Sequence, residues 1–231
     1  IIDFRNNNLH VVGYSAPIDK MIDKKQLIKK LYTNKKRPNS IPYVTSYYKR
    51  DWGFCIEENK KRKLKNGSYR VFINSDFKKG TLDCSHAFFK GKLKKEIFFS
   101  SYVCHPSMAN NELSGPSLLN AIMIYLKKNY KKTNYSYRFF LGPETIGSIA
   151  YLSKYKTKMK KNIICGFNLS CVGDERSYSY ISSKGGDTIA DHAVSSAISH
   201  FKNKKFYSFL DRGSDERQYC YPGIDLPVVT F

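Results

Sequence analysis

Compact apolar runs alternate with amphipathic stretches along the second part of the chain, from residue 96 onward. A short apolar run bounded by turn residues predicts a strand, and apolar positions at helical spacing predict a helix. Strict alternation of the two predicts an α/β domain of three layers. The predicted strands span residues 97–103, 137–141 and 163–169, and the predicted helices span residues 117–128, 148–155 and 189–201.

The first part of the chain has a different pattern. Short apolar runs at residues 9–14, 43–48 and 69–73 are separated by turns rich in Lys, Asn and Gly, and one helix is predicted over residues 19–32. This pattern predicts a small β-rich α+β module over residues 1–95, followed by the α/β domain over residues 96–231.

A histidine and a glutamate follow the first two predicted strands of the α/β domain. His105 lies just after the strand at 97–103, and Glu144 follows the strand at 137–141. Open α/β sheets bind their ligands at the carboxyl ends of strands. An imidazole there can hold a divalent metal, and a carboxylate can take a proton from metal-bound water. With the polar loop of Asn110, Asn111 and Glu112, this arrangement predicts a zinc hydrolase site.

Each of these residues also has an ordinary structural explanation. His105 alone is explained as a hydrogen-bonded structural residue, and the Asn-Asn-Glu triplet as a turn. Glu144 alone is explained as a carboxylate near the N-terminus of a helix. Their joint placement, each between a strand and a helix, favours the site.

The order of the motifs resembles the bacterial aminopeptidase-like domain family, which is related to the co-catalytic zinc aminopeptidases. Residues 96–231 carry the resemblance, and stretches within residues 9–55 resemble a domain inserted in the polysaccharide-biosynthesis-associated lineage of that family. The most specific stretches are Cys104-His105-Pro106-Ser107, Glu144-Thr145-Ile146-Gly147-Ser148 and Gly213-Ser214-Asp215-Glu216-Arg217-Gln218-Tyr219.

The resemblance implies a three-layer, zinc-peptidase-like mixed sheet and a role for each matching residue. His105 is expected to bind the metal, Asn111 occupies the metal-bridging position, and Glu144 is expected to be the general base. The third stretch implies contacts with substrate, for which the candidates are Asp215, Glu216 and Arg217. The alternative for that stretch is an ordinary exposed turn held by its own ion pairs.

The chain departs from the family pattern at three ligand positions. Asn111 replaces the bridging Asp, Thr145 replaces the second Glu, and Ser170 lies near a further ligand Asp. A neutral amide is a weaker ligand than a carboxylate, so one zinc ion is expected instead of two. The family's last ligand, a His, has no counterpart before Phe231, so we expect this chain to be a fragment, truncated at its C-terminus.

These patterns together predict a metal-dependent hydrolase that acts on an amide bond of a small peptide or aminoacyl-type substrate. The alternative is a binding module that kept the aminopeptidase fold and lost both metal and catalysis. The substrate, the pathway and the oligomeric state cannot be derived from the sequence.

The composition limits the classes of partner and the cellular compartment that the sequence predicts. The chain is 41% hydrophobic and contains no apolar run long enough to cross a membrane. Six cysteines without a Cys-x-x-Cys pair indicate reduced thiols in a cytoplasmic protein. The net charge of +21 is typical of proteins that bind nucleic acid or an acidic membrane surface. The excess positive charge is nearly all Lys, in short groups without a recognition motif. This distribution favours Lys side chains on solvated protein faces and no specific nucleic-acid partner. Non-specific binding of polyanions stays open.

Overall fold

The structure, a computed structural model, describes residues 2–231. The chain divides into two compact units, with the boundary between Gly80 and Thr81. This corrects the boundary predicted at residue 95, because Ser85–Phe89 is a strand of the large sheet in the second unit.

The first unit is built from short strands and helices. An antiparallel pair joins its first and last strands, and a second, parallel pair lies between them in the sequence. Its core contains Ile22, Leu27, Leu31, Ile56 and Val71. The elements are β1 (Ile18–Asp23), α1 (Lys24–Ile28), β2 (Leu31–Tyr32), β3 (Phe54–Cys55), α2 (Glu58–Arg62) and β4 (Ser68–Ile73).

The helix predicted over residues 19–32 is wrong in its first part, which is strand β1. Ile18 and Ile22 lie an even number of residues apart, so a strand places both on one face, and the strand pairs with β4 along its length. The helix starts only after Asp23, whose side chain accepts a hydrogen bond from the Gln26 backbone N–H at 2.7 Å. The N-cap therefore ends the strand and begins a helix of five residues.

The second unit contains a mixed seven-stranded sheet in the order β10-β9-β11-β8-β6-β7-β5. Strands β7, β6, β8 and β11 run parallel, whereas β5 and β9 are antiparallel to their inner neighbours. The predicted mixed α/β fold is thus confirmed. The strands are β5 (Ser85–Phe89), β6 (Glu96–Tyr102), β7 (Ser136–Gly142), β8 (Ile163–Asn168), β9 (Tyr178–Ile181), β10 (Lys204–Tyr207) and β11 (Val228–Thr230), and the helices are α3 (Gly115–Asn129), α4 (Ile146–Asn162), α5 (Ile189–Ile198) and α6 (Glu216–Tyr219).

Helices cover both faces of this sheet and form three layers. On one face, Phe98 of β6 and Phe140 of β7 pack with residues of α4 and α6. On the other face, their sequence neighbours Phe99 and Phe139 pack with residues of α3. The near-continuous apolar character of β6 and β7 follows from this burial on both faces. Among the described residues, no helix is long and apolar enough to span a membrane.

Candidate active site

The candidate site lies where the parallel strands β6 and β7 end. His105 follows β6, and its Nδ1 lies 2.6 Å from Oε1 of Glu112. Glu112 sits in a π-helical turn, Asn110–Ser114, directly before α3, and is buried. Its other oxygen accepts a hydrogen bond from the backbone N–H of Cys104. Glu112 therefore fixes both the backbone after β6 and the orientation of the imidazole.

The turn approaches the sheet closely because α3 begins with a glycine. A Cβ atom on Gly115 would lie 2.3 Å from Oγ of Ser101 and 2.5 Å from the backbone oxygen of Leu169. Such distances are far inside van der Waals contact, so only glycine fits here. Glu112 reaches His105 as a result of this close contact between the helix start and the sheet.

Across the site, Glu144 follows β7 and faces the other side of the imidazole. Its Oε2 lies 3.9 Å from Nε2 of His105, and both side chains are about one quarter exposed, at 23% each. The two ring nitrogens of His105 thus face two different carboxylates, Nδ1 that of Glu112 and Nε2 that of Glu144. The structure thus brings together His105 and Glu144, the ligand and the base predicted from the sequence.

Cys104 lies between these groups. Its sulfur is 3.1 Å from Nδ1 of His105 and accepts a hydrogen bond from the Glu144 backbone N–H at 3.3 Å. Burial raises the pKa of this thiol to about 11, and the negative charges of Glu112, Glu144 and Asp215 act in the same direction. The thiol is therefore neutral and not activated as a nucleophile.

A possible donor set for a cation follows from these contacts. Cys104, His105 and Glu112 each offer one ligand atom, and the three atoms lie within 4.8 Å of one another. Sulfur, imidazole nitrogen and carboxylate oxygen are all zinc ligands. The surrounding negative charge, which disfavours a thiolate, favours a dication.

Asn111, the predicted metal ligand in the bridging position, makes other contacts in this structure. Its Nδ2 donates to Oη of Tyr102 at 3.0 Å and to the sulfur of Cys171 at 3.5 Å. Its Oδ1 is buried without a hydrogen-bond partner among the described residues. Such an unpaired oxygen is costly and is a candidate position for a cation or a water. The carboxylate that the sequence places one position later, Glu112, makes the contact with His105 instead.

Asp215 holds the turn that carries Glu144. Its Oδ1 accepts hydrogen bonds from the Thr145 backbone N–H at 2.7 Å and from Oγ of Ser148 at 2.9 Å. Thr145 has φ 65° and ψ −65°, a strained conformation for a β-branched residue. Burial raises the pKa of Asp215 to about 6, against the lowering effect of these hydrogen bonds, and the charges of Glu144 and Glu216 raise it further.

The contacts of Asp215 and Glu216 differ from the substrate role predicted for them. Both are fully buried, at 0% exposure. Glu216 accepts hydrogen bonds from the backbone N–H groups of Gly213 and Ser214, at 2.8 and 2.9 Å, and from Oγ1 of Thr230 at 2.6 Å. These two carboxylates therefore fix loops, and the structure corrects their expected exposure to substrate.

Arg217, the third predicted substrate residue, is exposed and lines a different groove. Its Nε donates to the backbone oxygen of Ser214 at 3.2 Å. The groove contains none of the residues Cys104, His105, Glu112 and Glu144. Arg217 therefore lines a groove that does not include the predicted base.

Comparisons with known proteins give the family context of this geometry. Residues 11–231 match the family model described as a domain of unknown function (DUF4910). A curated protein of Clostridium acetobutylicum, named for polysaccharide biosynthesis with an aminopeptidase-like domain, is 43% identical over 229 residues. The alignment covers 99% of this chain and 52% of that protein, so the chain spans about half the length of this relative.

Two solved structures show the same fold. The crystal structure of a protein described as a peptidase from Clostridium acetobutylicum has a TM-score of 0.94 and 42% identity, covering 99% of this chain and 54% of its own. BSAP, a zinc aminopeptidase from Bacillus subtilis, has a TM-score of 0.63 and 17% identity, covering 87% of this chain and 52% of its own. The predicted resemblance to the aminopeptidase-like family is thereby confirmed.

Proposed function

This chain belongs to the family described as a domain of unknown function (DUF4910), and we propose that it is the aminopeptidase-like part of a metal-dependent hydrolase acting on an amide bond. The observation that carries the proposal is the convergence of Cys104, His105 and Glu112 at the edge where Glu144 faces the imidazole. The zinc aminopeptidase of Bacillus subtilis shares the fold, which supports zinc as the metal to test.

The residues fit one ion and not a pair. Thr145 and Ser170 stand where a co-catalytic pair needs carboxylates, and Oγ of Ser170 is 2.7 Å from Oη of Tyr102. Cys104, His105 and Glu112 would hold the single ion, with the unpaired Oδ1 of Asn111 as a further donor. When bound, zinc supplies a Lewis acid that makes water nucleophilic near neutral pH.

The protein side chains supply the rest of the chemistry. Glu144 accepts a proton from the attacking water at its carboxylate and returns it to the leaving nitrogen. Asp215 keeps Glu144 in place by holding the Thr145 backbone N–H.

Zinc titration and hydrolysis of aminoacyl amides test this proposal. We expect His105→Ala to weaken zinc binding by about tenfold or more. Glu144→Gln is expected to keep zinc affinity and to lower kcat by about 10²-fold or more. Glu175→Gln, an exposed glutamate of the same unit, is the matched control and should change neither quantity.

The outcomes separate the two candidate functions. Zinc affinity unchanged by His105→Ala would remove the metal site from the proposal. Weak zinc binding with no turnover of any aminoacyl amide would instead favour the non-catalytic binding module that lost its metal, which the replacement of the bridging Asp by Asn111 also favours.

A further inference from the structure

A second groove in the α/β unit has a volume of ≈ 700 Å³. It is formed by the loop of residues 182–186 after β9, by residues 208–212 after β10, and by residues at and after the end of α6. This volume lies within the range of about 300–1,000 Å³ that is typical of small-molecule sites. The cations that line it are Lys184, Arg212 and Arg217.

The two arginines of the groove differ from the other arginines of this unit. Arg138 and Arg176 each pair with a carboxylate, Glu96 and Asp174 respectively. Within the described residues, Arg212 and Arg217 have no carboxylate within 4.0 Å, and each makes one hydrogen bond, to a backbone oxygen. The unit's two guanidinium groups without an ion pair therefore line the same groove.

The acidic residues near the groove are already engaged. Asp225 lies 2.8 Å from Nζ of Lys184 and accepts the Gly223 backbone N–H at 2.8 Å. Asp211 accepts a hydrogen bond from the Ser208 backbone N–H at 3.2 Å. Neither guanidinium group therefore forms an ion pair within the described chain, and both keep most of their N–H donors for a ligand.

The walls of the groove are held by internal hydrogen bonds. Buried Asp191 accepts hydrogen bonds from the backbone N–H and the hydroxyl of Ser183, which fixes the loop after β9. Oγ of Ser182 accepts the Phe209 backbone N–H at 3.1 Å and joins this loop to the turn after β10. The backbone of these two walls is therefore held in place before a ligand binds.

We propose that this groove binds a small molecule carrying a phosphate monoester, with Arg212 and Arg217 as its ligands. A dianionic phosphate has three acceptor oxygens, which match two guanidinium forks better than a single carboxylate does. The groove is larger than a phosphate ion, and the exposed ring of Tyr221 offers apolar contact to an organic group, whereas the ring of Phe209 lies under the Arg212 guanidinium at 4.8 Å. This binding site is independent of the hydrolysis proposed above.

The test is titration of the 231-residue chain with inorganic phosphate, phenyl phosphate and benzoate at fixed ionic strength, followed by amide chemical-shift mapping. We expect phenyl phosphate to bind most tightly and to shift the amides of residues 182–186 and 208–217. The double variant Arg212→Gln/Arg217→Gln should weaken its binding by at least about tenfold. Arg176→Gln removes one exposed positive charge outside the groove and should leave binding unchanged.

Three results would overturn the proposal. Equal weakening by Arg176→Gln and by the double variant would show non-specific attraction to a chain of net charge +21. Shifts centred on residues 104–112 and 144 would place the phosphate at the other site. Unchanged binding in the double variant, with thermal unfolding unchanged, would exclude the two arginines as ligands.

Discussion

Asp215 is a fully buried carboxyl group whose ionisation is expected to affect stability near neutral pH. Replacement by Asn keeps an oxygen that can accept the hydrogen bonds of the Thr145 backbone and the Ser148 hydroxyl. It removes the charge that burial disfavours. We therefore expect Asp215→Asn to change how the stability depends on pH, whatever its effect at any single pH.

The magnitude follows from the pKa. The folded state raises the pKa of Asp215 from 3.8 to about 6. A folded state with a raised carboxyl pKa binds the proton more tightly, so stability is highest at low pH and falls between these two values. At about 1.4 kcal/mol per pKa unit, the total loss is about 3 kcal/mol. About 2 kcal/mol of that loss falls between about pH 4.5 and 7.5.

Urea unfolding followed by far-UV circular dichroism at several pH values measures this effect. Relative to Asp215→Asn, the unmodified chain should lose about 2 kcal/mol of unfolding free energy from about pH 4.5 to 7.5. Asp191→Asn is the matched control. Burial raises the pKa of Asp191, but hydrogen bonds from Ser183 and Thr188 outweigh burial and lower it. Its contribution to stability is therefore lost only as pH falls below about 4, and it should stay nearly constant between about pH 4.5 and 7.5. A pH-independent difference between the unmodified chain and Asp215→Asn would refute the reasoning.

Two further substitutions test the packing around the site. Gly115→Ala places a methyl group 2.5 Å from a backbone oxygen and should destabilise the chain by about 2 kcal/mol or more in urea unfolding, whereas Gly213→Ala, with open space around it, should not. Glu96→Gln leaves the buried Arg138 without its charged partner and should lower the unfolding free energy by about 3–5 kcal/mol, against less than about 1 kcal/mol for Asp174→Asn in an exposed pair. Equal destabilisation by Gly115→Ala and Gly213→Ala would contradict the first prediction. Equal destabilisation by Glu96→Gln and Asp174→Asn would contradict the second.

The sequence predicts the α/β unit well because its signals are local and repeated. The strands at 97–103 and 137–141 lie within one residue of β6 and β7, since burial on both faces gives continuous apolar runs. The first unit is predicted less well because its elements are short. Strand β1 has one buried side chain, Ile22, and only its pairing with β4 distinguishes it from a helix.

In the candidate site, the sequence identifies the residues that are near one another but not the group that each one contacts. His105 and Glu144 are predicted from their places after two parallel strands, and such strands end at one edge of a sheet. The choice between Asn111 and Glu112 depends on the direction of a single side chain in a π-helical turn, and no periodic pattern encodes that direction.

The sequence likewise places Asp215, Glu216 and Arg217 near the site and assigns them to substrate binding without showing what each one contacts. These polar residues follow a strand, as binding residues do, but Asp215 and Glu216 turn inward and accept backbone hydrogen bonds. A carboxylate that holds a strained turn is as necessary as one that contacts a ligand, because Glu144 faces His105 only while Thr145 keeps its positive φ. The motifs around residues 144 and 215 therefore occur together for a physical reason: one supplies the proposed base, and the other supplies the hydrogen bonds that hold it in place.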